Sequence, residues 1–275
     1  MKKIILSENQ IQQIIQLYND NISTRKMSKI MGVSRRVIDR ILIENNVPKR
    51  KPMTTRKYFF NEEYFDIIDT PNKAYIFGFL LADGNNQTTN RHAVTIELQE
   101  RDDQLLKDIQ RELELNRPLF YREKILNDKK FKSCLLTISS KHMSDRLNDL
   151  GMIPNKSLVL DFPLWITEEL FPFMLKGYID GDGTVDAHYI TFVSSDKFCY
   201  GVQKYLFEHY NIESHIRNMN NNNEHTKIVS ISHRNNLIAL TKLMFAQPTL
   251  GLKRKVEKYY KYGFLNDNTN NSLSA

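Results

Sequence analysis

Ile76-Phe77-Gly78-Phe79-Leu80-Leu81-Ala82-Asp83-Gly84 and Leu175-Lys176-Gly177-Tyr178-Ile179-Asp180-Gly181-Asp182-Gly183 are two versions of one pattern. Each is a largely apolar run with Gly third, a small residue seventh and Asp-Gly at its end. Gly78 and Ala82 are four residues apart, as are Gly177 and Gly181, so each pair lines one face of a helix. Small residues at that spacing let two helix backbones approach closely. Helices packed through those faces would bring Asp83 and Asp182 out side by side. Two carboxylates at one point either share a proton or hold a divalent metal. One copy alone reads more simply as a buried helix ended by a capping glycine, with a solvated Asp as its last residue. Two copies with the same internal order, about one half-domain apart, point to an internal duplication.

A second echo supports it. Ile138-Ser139-Ser140-Lys141 matches Ile231-Ser232-His233-Arg234, each at the end of an alternating segment and before a helical one. Within each half the periodicity runs helix, strand, helix, hairpin, helix. Asp69-Thr70-Pro71 opens the first motif helix, and Thr167-Glu168-Glu169 opens the second.

The pair of motifs resembles the LAGLIDADG homing endonucleases in the form that carries both in one chain. Gly151-Met152-Ile153-Pro154-Asn155-Lys156-Ser157 and Leu252-Lys253-Arg254-Lys255 extend the resemblance over roughly residues 64–264. It implies an α+β fold of two pseudo-symmetric αββαββα halves, about 63–153 and 164–265, in an endonuclease domain spanning 63–265. It also implies cleavage of both DNA strands with Mg²⁺ or Mn²⁺, by a monomer with an internal two-fold. Asp83 and Asp182 would be catalytic and bind the metal, helped by the backbone carbonyls of Ala82 and Gly181. A basic residue near the end of each half's last strand would assist the attacking water or the scissile phosphate, which suggests Lys141 and Arg234, with Lys253 a rival in the second half. The polar strand faces would lie in the major groove, with Thr95, Glu97, Gln99, Arg122, Lys124, Lys132 and Arg217 as candidates. Leu81 departs from the pattern where Asp180 keeps it, at a position that is generally not a metal ligand. Genes of this kind often lie in introns, inteins or phage genomes. A DNA-binding regulator without cleavage and an intron RNA maturase are the alternatives on the same fold.

The net charge of +7 is concentrated. Residues 1–60 hold thirteen Lys and Arg against four Asp and Glu, and the remainder is slightly acidic. The basic segment has a helix-turn-helix plan over residues 1–47. Ile11, Ile14, Ile15 and Tyr18 mark one helix, Met27, Ile30 and Met31 a second, and Gly32 a turn. Ser34 then opens a basic third helix with Arg35, Arg36 and Arg40 outside. Ser34 and these arginines are candidates for major-groove contacts. Residues 48–62 read as a basic linker in which Lys49, Arg50 and Lys51 would follow phosphates or a minor groove.

Residues 266–275 read as a disordered tail. No apolar run is long enough to span a bilayer and the start lacks a secretory pattern, so an intracellular protein is expected. Cys134 and Cys199 read as buried thiols in a reducing compartment, and no cysteine cluster suits zinc.

The basic arm should raise affinity for duplex DNA without taking part in chemistry. A chain starting at Tyr58 should bind more weakly, with a shallower salt dependence, because fewer counterions are released. Affinity measured over a salt series checks this. An unchanged slope would make the arm a protein-interaction module.

Overall fold

The computed structural model describes residues 6–20, 22–48, 58–89, 91–126, 129–220 and 223–265. The chain divides into two compact units, Met1–Lys57 and Tyr58–Ala275. In the first unit, α1 (Glu8–Asn19), α2 (Thr24–Met31) and α3 (Arg35–Glu44) surround Ile14, Met27, Ile38, Ile41 and Leu42. Ser7 and Gln10 form a reciprocal cap on α1. The α2–α3 turn depends on Gly32, whose φ of 65° favours a residue without Cβ. Lys49, Arg50, Lys51 and the 266–275 tail lie outside the described residues.

In the second unit, the Thr70 hydroxyl caps α4 (Pro71–Asp83) by accepting the Lys73 N–H at 3.3 Å. Residues 74–81 of this helix are all buried, so α4 is apolar on every side rather than amphipathic. Its chain continues directly into β1 (Gly84–Gln87), then β2 (Ala93–Gln99), α5 (Asp103–Glu112), β3 (Phe120–Leu126), β4 (Lys129–Ser139) and α6 (Lys141–Asp149). The second half repeats the order as α7 (Phe171–Asp182), β5 (Gly183–Val185), β6 (Ile190–Ser195), α8 (Asp196–Tyr210), β7 (His215–Asn220), β8 (Asn223–Ile231) and α9 (Arg234–Met244). An added helix, α10 (Lys253–Lys261), follows. Among the described residues each half is thus αββαββα, with an antiparallel sheet ordered β1-β2-β4-β3 in one and β5-β6-β8-β7 in the other.

The registers superpose as well. Gly84 pairs with Ile96, which pairs with Leu136. Gly183 pairs with Phe192, which pairs with Val229. Lys141 and Arg234 each lie five residues beyond that last partner, so the echo in the sequence is an echo in space.

Two boundaries differ from the sequence reading. α7 begins at Phe171 rather than Thr167, and the Thr167 carbonyl accepts the Phe171 N–H at 2.9 Å. Pro172 sits in the first turn, where its missing N–H is not needed. Residues 58–62 are not linker. Phe59 N–H donates to Asn116 Oδ1 at 2.8 Å, Asn61 N–H donates to the Leu113 carbonyl at 2.9 Å, and Ser140 Oγ bonds Glu62. Between the halves, a short 3-10 turn at Lys156–Leu158 buries Lys156.

The halves are joined through α4 and α7. A Cβ on Gly78 would land on the Met174 carbonyl oxygen, and one on Gly177 on the Tyr75 carbonyl oxygen. A Cβ on Gly181 would strike the methyl of Ala82. Backbone therefore rests on backbone at Gly78 and Gly177, and Gly181 makes room for the Ala82 methyl. One hydrophobic core runs through both halves, from Tyr64 and Phe65 to Phe264 and Leu265. Gly78→Leu should cost about 3 kcal/mol or more, since the obstacle is backbone and cannot rotate aside. A thermal melt checks this, and an unshifted midpoint would show that the helices do not need that contact.

Candidate active site

Each motif helix ends on its acid, and the next residue already lies in a strand. Gly84 (φ −77°, ψ 148°) and Gly183 (φ −97°, ψ 167°) are extended, not left-handed. Space, not φ, requires glycine here. A Cβ on Gly84 would meet the Leu80 carbonyl oxygen at 2.5 Å and Met152 Cε at 2.6 Å. One on Gly183 would meet the Ile179 carbonyl oxygen at 2.6 Å. The helix-to-strand step without a loop fixes where Asp83 and Asp182 emerge.

The two acids are near enough to repel. A Cβ on Gly181 would lie 3.4 Å from Asp83 Oδ2, so Asp83 stands against the last turn of α7. Both acids keep exposed surface, while protein crowds their inner sides. Burial of the carboxyl, and then the charge of Asp182, push the Asp83 pKa up to about 6. Burial also raises that of Asp182. Neither carboxylate has a hydrogen bond or ion pair with a described residue. A recess of about 280 Å³ opens beside Asp182, lined in part by Ala82, Ser157, Tyr178, Ser194 and Thr226.

The charges of Lys156 and Lys255 act against the raised pKa of both acids, and that of Arg254 acts on Asp83 as well. Lys156, only 7% exposed, donates to the Gly84 carbonyl at 2.5 Å and approaches the Ala82 carbonyl at 3.4 Å. Lys255, 3% exposed, repeats the arrangement with the Gly183 carbonyl at 2.7 Å and the Gly181 carbonyl at 3.4 Å. It also reaches the Ile179 and Asp180 carbonyls at 2.5 and 2.7 Å. These lysines satisfy carbonyls that the helix ends leave without partners. Burial lowers the pKa of both, that of Lys255 to about 8, and the acids oppose the shift. Arg254 ion-pairs with Asp102 at 3.1 Å.

Lys141 and Arg234 occupy matching places but turn elsewhere. Lys141 pairs with Asp145, one turn along its own helix. Arg234 donates to the Tyr262 and Gly263 carbonyls at 3.1 and 3.2 Å and lies over the Phe264 ring. Lys253 is exposed at the start of α10, whereas Lys255 points inward on the same side as Tyr259, four residues on. Both inward lysines lie in the two stretches that carried the family resemblance. The signal was present, but nothing in the sequence showed that α10 forms and turns Lys255 toward the acids.

On the sheets, burial alternates so that Thr95, Glu97 and Gln99 share the outward face of β2. Arg122, paired with Ser133, is on that face too. Its Nε donates to Glu97 Oε1 at 2.8 Å, and Ser133 Oγ bonds the same oxygen at 2.7 Å, so two candidate readers are tied to each other. Lys132 is out of phase. It pairs with Glu123, on the side of buried Cys134 and Leu136, and approaches Glu100 at 3.8 Å. Arg217 is exposed on β7 beside Ile228. In the N-terminal unit Ser34, Arg35 and Arg36 are exposed, and Arg40 lies 3.7 Å from Glu44.

The donor set suits a hard divalent cation, which takes carboxylate and carbonyl oxygens. Asp83 and Asp182 offer carboxylates without protein partners, and the Ala82 and Gly181 carbonyls are only loosely engaged. Among the described residues no group of three or more His, Cys, Asp or Glu converges on a metal position. Water and phosphate oxygens would have to complete a shell, as is usual for Mg²⁺.

A family model described as a LAGLIDADG-like domain matches residues 173–244, which covers the second motif helix and most of its half. No curated protein matches the chain. Solved structures with similarity include full-length DUF199/WhiA from Thermatoga maritima, at 14% identity and TM-score 0.45, covering 77% of this chain and 68% of that one. The homing endonuclease I-WcaI bound to its DNA recognition sequence is similar at 12% identity and TM-score 0.46, over 84% and 97%. I-DmoI in complex with DNA and Ca is similar at 12% and 0.46, over 72% and 99%. The family match at residues 173–244, with the repeated motif and the duplicated αββαββα order, gives the second unit a LAGLIDADG-like fold. No helix among the described residues is long and apolar enough to cross a membrane.

The raised Asp83 pKa has a consequence for stability without metal. The folded chain keeps that proton to about pH 6, while the unfolded chain releases it in the ordinary carboxylate range. Stability therefore falls as pH rises through that window. Asp83→Asn removes the penalty and relieves Asp182. In EDTA it should melt above wild type near pH 7.5, with the difference closing by about pH 4. Calorimetry at the two pH values checks this, and a melt no higher than wild type near pH 7.5 would show that the acids do not repel.

Proposed function

We propose that the protein is a sequence-specific, Mg²⁺-dependent endonuclease that hydrolyses one phosphodiester on each strand of duplex DNA. The observation that carries this reading is the acid pair. Two carboxylates stand together at pseudo-symmetric helix ends, each beside a loosely engaged carbonyl and a buried lysine. A DNA-binding protein without cleavage has no use for two acids facing a phosphate backbone.

Asp83, Asp182 and the carbonyls of Ala82 and Gly181 would hold the cation. When bound, Mg²⁺ supplies Lewis acidity to a phosphoryl oxygen and lowers the pKa of a water nucleophile. The rest is the work of the chain. Asp83 and Asp182, once ionised, present negative charge at one point. Lys156 and Lys255 hold positive charge beneath them, which lowers the cost of bringing a phosphate close to two acids. The outward faces of the two sheets, with Thr95, Glu97, Gln99, Arg122 and Arg217, lie toward the major groove. Arg35, Arg36 and Arg40 of the N-terminal unit, with Lys49, Arg50 and Lys51 after it, add phosphate and base contacts outside the cleavage core.

Asp83→Asn or Asp182→Asn should abolish two-strand cleavage and leave DNA binding largely intact. The assay is cleavage of a randomised duplex library with Mg²⁺ against EDTA, with gel shift on the DNA recovered. Wild-type cutting by either variant, or cutting in EDTA, would overturn the assignment.

A further inference from the structure

The two halves differ at one motif position. Where α4 carries Leu81, α7 carries Asp180, buried at 2% exposure in the helix interface. Its Oδ2 accepts the Tyr75 hydroxyl at 2.7 Å and the Leu252 N–H at 2.8 Å. Tyr75 belongs to α4, and Leu252 is the N-cap residue of α10. One carboxylate oxygen therefore ties three helices together: its own, the helix of the other half, and the helix that presents Lys255. The Leu252 side chain makes no cap of its own. Asp180 thus supplies, from a foreign helix, the acceptor and negative charge that a helix N-terminus calls for. Nearby, Asn72 Oδ1 accepts the Leu250 N–H at 3.0 Å, so the incoming strand of chain is held at two points. Lys156 needs no such anchor. It is delivered by a short turn in the connection between the halves, on the side where the motif position is Leu81.

We infer that Asp180, with Tyr75, is a positioning pair for Lys255, so that the subsite at the end of α7 depends on it and the subsite at the end of α4 does not. This rests on the cleavage reading given above, and it adds that the two strands are cut by subsites of unequal dependence.

The test uses the full chain and three variants. Asp180→Leu copies the residue that the first half tolerates. Asp180→Asn keeps one oxygen able to accept both bonds. Tyr75→Phe removes one donor. Hydrogen exchange by mass spectrometry should show amides of 250–257 in Asp180→Leu exchanging about tenfold faster than in wild type, with 154–160 little changed. On a supercoiled plasmid recovered from the randomised library, Asp180→Leu should accumulate nicked circles, lowering the linear-to-nicked ratio about tenfold, the worth of a lost cap. Asp180→Asn should recover most of that ratio, and Tyr75→Phe should fall between. A general loss of stability would slow both strands alike and would not produce nicks. Equal slowing of both strands, or unchanged exchange at 250–257, overturns the positioning role. If the wild type cuts no DNA, the cleavage reading fails, while the exchange result still decides whether Asp180 anchors α10.

Discussion

The contact between α4 and α7 constrains everything else in the second unit. Glycine at 78 and 177 puts each backbone on a carbonyl of the other helix, leaving no room for a side chain. Two helices that close leave their ends little freedom to move apart. The acids sit on the last residue of each, before chain that turns at once into strand. The pairing of Asp83 and Asp182 is therefore a consequence of packing, not of loops that could drift. A site on rigid elements holds its geometry better than one on loops.

The same packing creates an electrostatic problem that the fold answers locally. Carbonyls at two converging helix ends and two carboxylates make a concentrated negative region. Lys156 and Lys255 are buried against it, each reaching the same pair of carbonyl positions in its own half. Their burial is unfavourable alone, since desolvation lowers the pKa of both. The acids and carbonyls offset that cost. What is left is a site with fixed protein cations below and unpartnered carboxylates above, open to solvent at the mouth. Carboxylate and carbonyl oxygens left open in this way are the donor types that a hard divalent cation takes.

Much of the fold was legible because the duplication repeats in several independent signals. The glycine spacing, the acid ends and the Ile138-Ser139 and Ile231-Ser232 echo agree with one another and with the strand registers. The short strands β1 and β5 were not separable, since three or four residues after a helix carry no readable alternation. α10 was missed because its buried side is made by Lys255 and Tyr259, which read as polar surface in a sequence. Lys141 and Arg234 were reasonable candidates by position, but position along a strand does not say where a long side chain turns. Lys132 lies one residue out of phase with Ser133, the partner of Arg122, which puts its side chain on the other face of the sheet. The buried role of Asp180 was invisible, because its partners are more than seventy residues away in the sequence.

The proposed function requires the two helix ends to form one cation-holding centre. Fe²⁺ with ascorbate generates radicals that cut polypeptide near a bound ion, so the cleavage map reports the site directly, without DNA or a known target. With one centre, backbone cuts fall at both 82–84 and 181–183, are suppressed together by excess Mg²⁺ and are lost together in Asp83→Asn. Cuts at only one helix end, or cuts elsewhere that Mg²⁺ does not suppress, would contradict it.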